Sequence, residues 1–454
     1  MDINGTEAKV VEEKHGWRQL ADGYLSKTPI FQFALISLIF PLWGAAASLN
    51  DILITQCKTV FQLNDAATAF VQSAFYGGYF LIAIPASLVI KKQSYKFAIM
   101  TGLIFYIVGC GMFFPASQVA TYTMFLAAIF AIAVGLSFLE TSCDTYSSML
   151  GPKKYANLRL NISQTLVPLG DIAGIVLGKY LIFGAVGNLS ETMSHMHGAE
   201  RLAYGEKMLQ LTLQPYKYIL VVLIAILILL AITPMPKSKA VSENAEKKDQ
   251  PSLVETFKYL SKNKRFKKGV MAQFFYVGMQ TTVWSFTIRL ALNLGHNITD
   301  SDASTFMIYA YAAWFVGKVV ANFLMNKFSV TKVLTFYSLL GTVTLILTTT
   351  IPNMTAVWMA IATSFFFGPE WPTIYAHTLD TVEDKRFTET AGAFVVMAIV
   401  GGAVLPAVQG LVSDLSGSMQ FSFIVPVICF IIVTIYFYTE YKYDVKHPEQ
   451  VTEK

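Results

Sequence analysis

The chain has 454 residues, of which 54% are hydrophobic and 14% are charged, and its formal net charge is +5. Soluble domains usually carry about 25% charged residues, so this composition excludes an ordinary soluble protein and indicates an integral membrane protein. Long unbroken apolar runs exclude a β-barrel, whose strands alternate polar and apolar residues over roughly ten positions. The basic residues lie mostly between the apolar runs, so the charge does not indicate a nucleic-acid partner.

Twelve apolar segments follow a polar N-terminal stretch that has no signal-peptide core, so the first segment is expected to stay uncleaved. About 20 apolar residues are enough to cross a membrane as a helix. We call the segments spans 1 to 12; they cover residues 29–56, 65–90, 96–117, 121–149, 157–184, 214–234, 268–294, 303–326, 332–351, 355–379, 388–414 and 420–440. The sequence therefore predicts an all-α membrane protein with twelve transmembrane helices in two six-helix halves.

A basic linker separates the two sets of six spans. The predicted division is an N-terminal segment (1–28), a first half (29–234), the linker (235–267), a second half (268–440) and a tail (441–454). Within the linker, Leu253, Phe257 and Leu260 recur at helical spacing. This pattern predicts a short amphipathic helix that lies along the membrane surface.

Lysine and arginine crowd alternate loops, together with the linker, the N-terminal segment and the tail. The positive-inside rule then places both termini in the cytoplasm of a multi-pass cell-membrane protein. The largest outer segment, residues 185–212, is expected to be a solvated loop. Six plus six spans around a cytoplasmic linker is typical of the major facilitator superfamily, whose carriers alternate access to a site near the membrane midplane.

Five carboxylates fall inside the predicted spans, which is more than a passive scaffold would tolerate. They are Asp51, Glu140, Asp144, Asp171 and Glu370. A charge within a span costs roughly 3 kcal/mol or more, so it usually faces a cavity or a partner. Glu140 and Asp144 are four residues apart on one helix face, where two carboxylates cannot both ionise cheaply. Such a pair suits a group that takes up a proton on one side and releases it on the other.

Four of the acids have alternative roles, and the fifth, Glu370, lies at a predicted break in its helix. Asp51 could cap a helix end, Glu140 could be a hydrogen-bond partner between helices, and Asp171 could pair with Lys179. Asp144 could act as a gate residue nearer the inner surface. Glu370 lies between Gly368-Pro369 and Trp371-Pro372, which predicts a broken helix of the kind that lines binding sites.

Amide and aromatic side chains form a second candidate group. The amides are Asn50, Asn161, Gln164, Gln273 and Gln280, and the flat apolar faces are Trp43, Trp284 and Trp371. Sugar rings present hydroxyl groups at the edge and C–H groups on the face, so this combination suits a sugar. The alternative is interhelical hydrogen bonding by the amides, worth roughly 0.6 kcal/mol each, and anchoring at the lipid interface by tryptophan.

Several motifs give this chain a family resemblance. They are Leu49-Asn50-Asp51-Ile52-Leu53, Leu139-Glu140-Thr141, Arg159-Leu160-Asn161-Ile162-Ser163-Gln164-Thr165 and Ala272-Gln273-Phe274-Phe275-Tyr276-Val277-Gly278-Met279-Gln280-Thr281. With them, the sequence resembles the fucose–galactose–glucose:proton symporters of the major facilitator superfamily. The resemblance implies that Glu140 carries the proton and that Asp51 is tied to substrate and gating. It also implies that Gln164 contacts the sugar and that Trp43 and Trp284 lie near the cavity.

Other positions depart from the family's fucose carriers. Ser48 and Val167 stand where those carriers have asparagines, Asp144 also replaces an asparagine, and Asp171 replaces a small apolar residue. Glu370-Trp371-Pro372 takes the place of Gln-Tyr-Pro. A more acidic cavity than a fucose site is therefore expected, and another hexose or an amine-bearing sugar derivative becomes an alternative substrate.

The predicted function is a proton-coupled symporter that imports a monosaccharide. The alternative is a carrier for a cationic or amine-bearing solute, and sodium coupling is left open because hard cations also favour oxygen ligands. The predicted proton-coupling residues are Glu140 and Asp51, and the predicted substrate-binding residues are Asn50, Trp43, Asn161, Gln164, Tyr276, Gln280, Trp284, Glu370, Trp371 and Asp144. We expect a monomer in the lipid bilayer, with the proton as coupling ion, no other cofactor, no metal and no enzymatic activity.

Overall fold

A computed structural model describes residues 17–20, 23–61, 65–119, 122–178, 193, 196–238, 251–295, 298 and 300–447. In that part of the chain the structure is helical, and its only strand-like pairing is an isolated bridge between Gln19 and Leu25. Helices satisfy all their backbone hydrogen bonds internally, as hydrocarbon requires.

The first half contains six predicted spans, two of them divided into two helices. They are Ile30–Ser37 with Phe40–Val60, Asp65–Lys92, Tyr95–Val119, Tyr122–Met149, Ala156–Gln164 with Val167–Gly178, and Gln214–Ile232. Part of the expected outer loop is also helical, from Gly198 to Thr212. Apolar residues recur among the polar ones of this segment, and Met208 and Leu209 are buried in the core.

The linker contains the helix Leu253–Lys262, at the place where the spacing of its apolar residues predicted a helix; we call it the surface helix. The spans that follow are Lys264–Leu294, Asp300–Met325, Val330–Thr350, Thr355–Phe366 with Glu370–Asp380, Thr388–Met397 with Gly401–Ser416, and Ile424–Lys446. Span 10 is interrupted between Phe366 and Glu370, which confirms the break predicted from Pro369.

Among the described residues, ten segments are long and apolar enough to cross a membrane. The two predicted spans outside those ten are span 7 and span 10. Span 7 carries two buried glutamines, Gln273 and Gln280, and span 10 is divided into two helices shorter than a membrane crossing. These two spans carry five of the predicted site residues: Tyr276, Gln280, Trp284, Glu370 and Trp371.

The second half repeats the packing of the first. Span 1 packs on span 5 and span 7 on span 11; span 2 packs on span 4 and span 8 on span 10. The pairs of spans 3 and 4 and of spans 3 and 6 likewise recur as spans 9 and 10 and spans 9 and 12. Internal repeats of this kind are the usual construction of secondary transporters.

Glycines bring corresponding spans close together in both halves. A Cβ atom at Gly170 of span 5 would lie 1.8 Å from the carbonyl oxygen of Pro41 in span 1. In the second half, a Cβ atom at Gly401 of span 11 would lie 2.1 Å from the carbonyl oxygen of Phe274 in span 7. Small residues permit such backbone contact between membrane helices.

The two halves meet mainly where span 2 packs on span 11 and span 5 on span 8. We call the side of the bundle on which the linker lies the linker face. Four side-chain hydrogen bonds join the halves within the described part of the chain: Thr145 to Tyr375, Asn161 to Thr373, Lys318 to Gln164 and Asn322 to Thr165. The residues concerned lie in the middle of their spans or nearer the linker face, so this structure is closed on that face.

Candidate substrate and proton site

The acidic pair of span 4 is buried in the first half. Glu140 is 7% exposed and Asp144 is fully buried, one helical turn closer to the linker face. The hydroxyl group of Tyr79, from span 2, faces the Glu140 carboxyl group. Glu140 therefore has one neutral hydrogen-bonding neighbour and one acidic neighbour, an arrangement in which holding a proton relieves the repulsion between the two acids.

Gln164 connects this acidic pair to span 5. Its side-chain amide nitrogen donates to Asp144 Oδ1 over 2.9 Å, and both side chains are buried. The second carboxylate oxygen of Asp144 has no hydrogen-bond partner in the described part of the structure. The predicted sugar contact Gln164 thus lies directly beside Asp144, one of the five predicted intramembrane acids.

Lys318 of span 8 is part of the same cluster, and the sequence analysis missed it. Its side chain is 2% exposed, and its ammonium group donates to the backbone carbonyl of Gln164 over 2.9 Å. Asp171 and Asp144 both interact electrostatically with it. The signal was present in the sequence, since Lys318 lies inside predicted span 8, and a basic residue within a span marks a functional position as an acid does.

Lys318 supplies a positive charge that the argument for a cationic substrate left out. That hypothesis used Glu370, Asp144 and Asp171 as counter-charges for the solute. The structure places a buried ammonium group near Asp144 and Asp171. For Asp144 and Asp171, a positive charge of the kind that a cationic solute would bring is already present in the protein.

Aromatic and amide groups of the second half adjoin Lys318. The Lys318 ammonium group lies 4.4 Å from the ring centroid of Trp314, which in turn packs at 4.9 Å against Trp284. Trp284 donates its indole N–H to Ser364 over 3.1 Å. Gln280 donates to the Tyr276 hydroxyl group over 2.9 Å.

The break in span 10 adjoins these aromatic and amide groups of the second half. The Tyr276 hydroxyl group donates to the carbonyl oxygen of Phe367 over 3.0 Å. Phe367 lies between the two helices of span 10, and its carbonyl oxygen also accepts from the backbone N–H of Glu370 over 3.3 Å. The predicted residues Tyr276, Gln280 and Trp284 are therefore brought together around the broken helix.

Asn161 and Trp371 lie nearer the linker face. The Asn161 amide nitrogen donates to Asn157 Oδ1 over 2.9 Å and to Thr373 Oγ1 over 3.3 Å. Trp371 stacks on Tyr375 with ring centroids 5.3 Å apart. Asn161 forms one of the hydrogen bonds between the halves, and Trp371 stacks on Tyr375, which forms another.

Glu370 and Trp43 lie apart from the acidic cluster. Glu370 is fully buried, and its Oε1 accepts a hydrogen bond from Ser338 of span 9 over 2.9 Å. Trp43 is 6% exposed and packs against Phe40 at 4.3 Å. The side chains of the predicted residues Asn50 and Asp51 lie outside the described part of the structure.

A crevice of about 320 Å³ opens at the linker face between the halves. Thr145 and Asn157 line it from the first half, and Thr373, Tyr375 and Asp444 line it from the second. Thr145 and Tyr375 also form the hydrogen bond that joins the halves. The crevice thus extends from the linker face inward to the hydrogen bond between Thr145 and Tyr375, where the two halves are in contact.

Comparison with known proteins identifies the family. A model of the Major Facilitator Superfamily matches residues 30–361 and, in an overlapping match, residues 286–453. The chain is 32% identical to the L-fucose-proton symporter of Escherichia coli over 91% of its own length and 94% of that protein. It belongs to the Major Facilitator Superfamily and to the family of the fucose–galactose–glucose:proton symporters. It is a carrier and not an enzyme.

Other relatives have related names and folds. The chain is 29% identical to a glucose/galactose transporter of Brucella abortus, over 89% of its own length and 93% of that protein. A crystal structure of the Escherichia coli fucose:proton symporter matches with a TM-score of 0.80 and 32% identity, covering 90% of this chain and 98% of that one. A proton:xylose symporter matches with a TM-score of 0.65 and 13% identity, over 90% of this chain and 96% of that one, and so shares the fold.

Proposed function

We propose that this chain is a proton-coupled symporter that imports a neutral monosaccharide by alternating access. The observation that carries the proposal is the buried cluster of Glu140, Asp144 and Gln164 beside the second half, in a chain of the fucose-symporter family. The relatives are named for L-fucose, glucose and galactose, which favours a fucose-like or hexose-like substrate.

The sugar would bind between the halves against Gln164, Asn161, Gln280 and the indole of Trp284, with Trp43 and Asn50 on the first-half side. In the structure the side-chain amide of Gln164 donates a hydrogen bond to Asp144, and that of Gln280 donates one to Tyr276. A sugar hydroxyl group must replace these partners with equivalent hydrogen bonds. A ligand without matching hydroxyl groups would leave buried polar groups unpaired, so it would be rejected.

Glu140 would carry the proton, with Asp51 coupled to it. Proton uptake removes a negative charge from a buried site, which lowers the cost of enclosing the site as the halves close over the sugar. The proton and the sugar would then leave together on the other side. Glu370 and Trp371 are proposed to shape the site from span 10, and the proton is the only cofactor in this mechanism.

The linker face would be the cytoplasmic face, because basic residues crowd the loops on that side. Both termini would then be cytoplasmic, the protein would lie in the cell membrane, and the structure would be closed toward the cytoplasm. We propose that the functional unit is a monomer, since the clustered site residues come from the two halves of one chain.

Uptake into proteoliposomes tests the proposal. Liposomes holding the purified protein are given an inward proton gradient and labelled L-fucose, D-galactose or D-glucose, while a pH-sensitive dye reports proton movement. We expect accumulation of at least one sugar, with proton entry that depends on that sugar and a loss of accumulation with a protonophore. Accumulation driven by a sodium gradient alone would contradict proton coupling, and no response to any neutral sugar would contradict the substrate class.

A further inference from the structure

Lys318 is a buried cation for which the proposed transport mechanism gives no role. It is one of the largest fully buried side chains in the described part of the structure. A charged group in a membrane interior is costly unless it is paired, and such a group usually marks a functional site. The contacts of Lys318 therefore indicate what its charge is for.

These contacts join the two halves of the protein. The ammonium group donates to the carbonyl oxygen of Gln164 over 2.9 Å and interacts electrostatically with Asp171 and Asp144, all three in the first half. On its own helix it lies 4.4 Å from the ring centroid of Trp314, a geometry that stabilises a cation. A carbonyl oxygen, a π face and two acids together hold the charge in place.

The side chain reaches the residues that are proposed to bind substrate. Gln164 accepts from Lys318 with its backbone and donates to Asp144 with its side chain. Trp314 packs against Trp284, the proposed aromatic face for the sugar. A solute bound between Gln164 and Trp284 would therefore lie near the ammonium group.

We infer that Lys318 is a specificity-determining residue, the internal counter-charge that fits this acidic site to a neutral sugar and against an amine-bearing one. The inference rests on the proposed function, because it concerns the substrate of that same site. A cationic solute would have to enter beside the Lys318 ammonium group, whose charge has the same sign. Without the ammonium group, Asp144 would lose the positive charge that interacts with it, and an amine-bearing sugar could supply one in its place.

The test compares binding of two sugars that differ in a single group. Thermal shift over a concentration series gives the Kd of a neutral hexose that binds the wild-type protein and the Kd of its 2-amino-2-deoxy counterpart, in the wild type and in Lys318→Met. Methionine keeps the length of the side chain and removes its charge. We expect the ratio of the two Kd values to shift about ten-fold or more in favour of the amino sugar. The free energy of such a shift is a small part of the cost of an unpaired buried charge.

Lys327→Met is the matched control. Lys327 is also a lysine against an aromatic ring, 4.5 Å from the centroid of Phe323, but its side chain is exposed. We expect this variant to keep the wild-type ratio. If Lys318→Met also keeps it, the inference is wrong.

The double variant Lys318→Met, Asp144→Asn separates charge from packing. It removes one charge of each sign, so we expect the ratio to return toward the wild-type value. A double variant that prefers the amino sugar as strongly as Lys318→Met alone would overturn the inference. If Lys318→Met does not fold, Asp144→Asn alone decides, because leaving Lys318 in excess should shift the ratio further toward the neutral sugar.

The outcomes for the wild-type protein separate the two proposals. If it binds no neutral sugar, the proposed function fails. If it transports a sugar but binds the amino sugar more tightly than the neutral one, the inference about Lys318 fails and the symporter proposal stands.

Discussion

The hydroxyl group of Tyr375 lies 2.7 Å from that of Thr145, and this hydrogen bond joins the two halves of the protein. Both side chains are buried, and the Tyr375 ring is held by stacking on Trp371 at an interplanar angle of 11°. The bond must break whenever the halves separate at the linker face. It therefore contributes to the equilibrium between the closed and open forms of that face.

Tyr375→Phe removes this bond and retains the ring that stacks on Trp371. A hydrogen bond contributes a net of about 1 kcal/mol, so we expect the population that is open at the linker face to rise about five-fold. Distances between spin labels at Lys154 and Lys327, which lie on different halves at that face, measure the two populations.

Two further variants check the origin of the effect. Thr145→Val combined with Tyr375→Phe should change the distances no more than Tyr375→Phe alone, because both substitutions remove the same bond. Tyr309→Phe is the control, since Tyr309 is half-exposed on span 8 and stacks on Trp358. An unchanged distance distribution in Tyr375→Phe would show that this bond does not govern the closed form.

Gly170→Ala should destabilise the first half. The added Cβ atom would lie 1.8 Å from the Pro41 carbonyl oxygen and 2.6 Å from its carbon, and these are backbone atoms that no rotamer change can move. Spans 1 and 5 would have to separate, at a cost of roughly 1–3 kcal/mol or more. A lower melting temperature of the purified protein in detergent is the expected result.

Gly111→Ala is the matched control for this substitution. Gly111 also lies inside an apolar helix, but a Cβ atom there would meet nothing within 4 Å. Alanine favours a helix by up to about 1 kcal/mol over glycine, so this variant should be neutral or slightly more stable. Equal losses in the two variants would mean that close packing at Gly170 is not the cause.

Much of the fold could be predicted from the sequence because hydrocarbon leaves few alternatives. Apolar length identifies spans, and a lipid environment requires them to be helices. The break in span 10 was predictable from Pro369, whereas the break at Thr165-Leu166 in span 5 changes the hydropathy too little to be seen. The helix Gly198–Thr212 was missed because its polar residues resemble those of a loop.

The site was predictable only in part, because residue types can be read from a sequence but long-range pairing cannot. Glu140 and Asp144 lie on one helix, so their shared face followed from their spacing. The partners Gln164 and Lys318 are 154 residues apart, and nothing in a single sequence brings them together. Asp171 was interpreted as an acid that could pair with Lys179, which lies outside the described residues, whereas the structure shows that Asp171 interacts with Lys318 of the other half.

The surface helix of the linker should depend on its first turn. Ser252 accepts from the backbone N–H of Glu255 over 3.2 Å, and Glu255 accepts from the backbone N–H of Ser252 over 2.8 Å. Ser252→Ala removes the first bond, and amide hydrogen exchange in Leu253–Lys262 should become roughly five-fold faster. Ser261→Ala, in the same helix, should leave exchange unchanged or slower, and equal acceleration in both variants would contradict a capping role.

The same first turn should respond to acid. The backbone N–H and then the hydroxyl group of Ser252 hold the pKa of Glu255 below its usual value. The contribution of Glu255 is therefore fully present above its usual pKa of about 4.3 and is lost as the pH falls through the lowered value. Exchange in this helix, corrected for the intrinsic rate, should accelerate below about pH 4 in the wild type but not in Glu255→Gln, and an equal response in both would rule out this carboxylate.

Glu140→Gln should separate exchange from accumulation. The variant retains the shape and the hydrogen-bonding capacity toward Tyr79, but it cannot take up and release a proton. We expect proton-driven sugar uptake to fall to background, while counterflow exchange of sugar across the same liposomes is retained, because exchange requires no net proton movement. Glu383→Gln, an exposed glutamate on the linker face, should keep both activities. Normal accumulation by Glu140→Gln would refute its assignment as the proton carrier, and loss of both activities would indicate a structural role for this carboxylate instead.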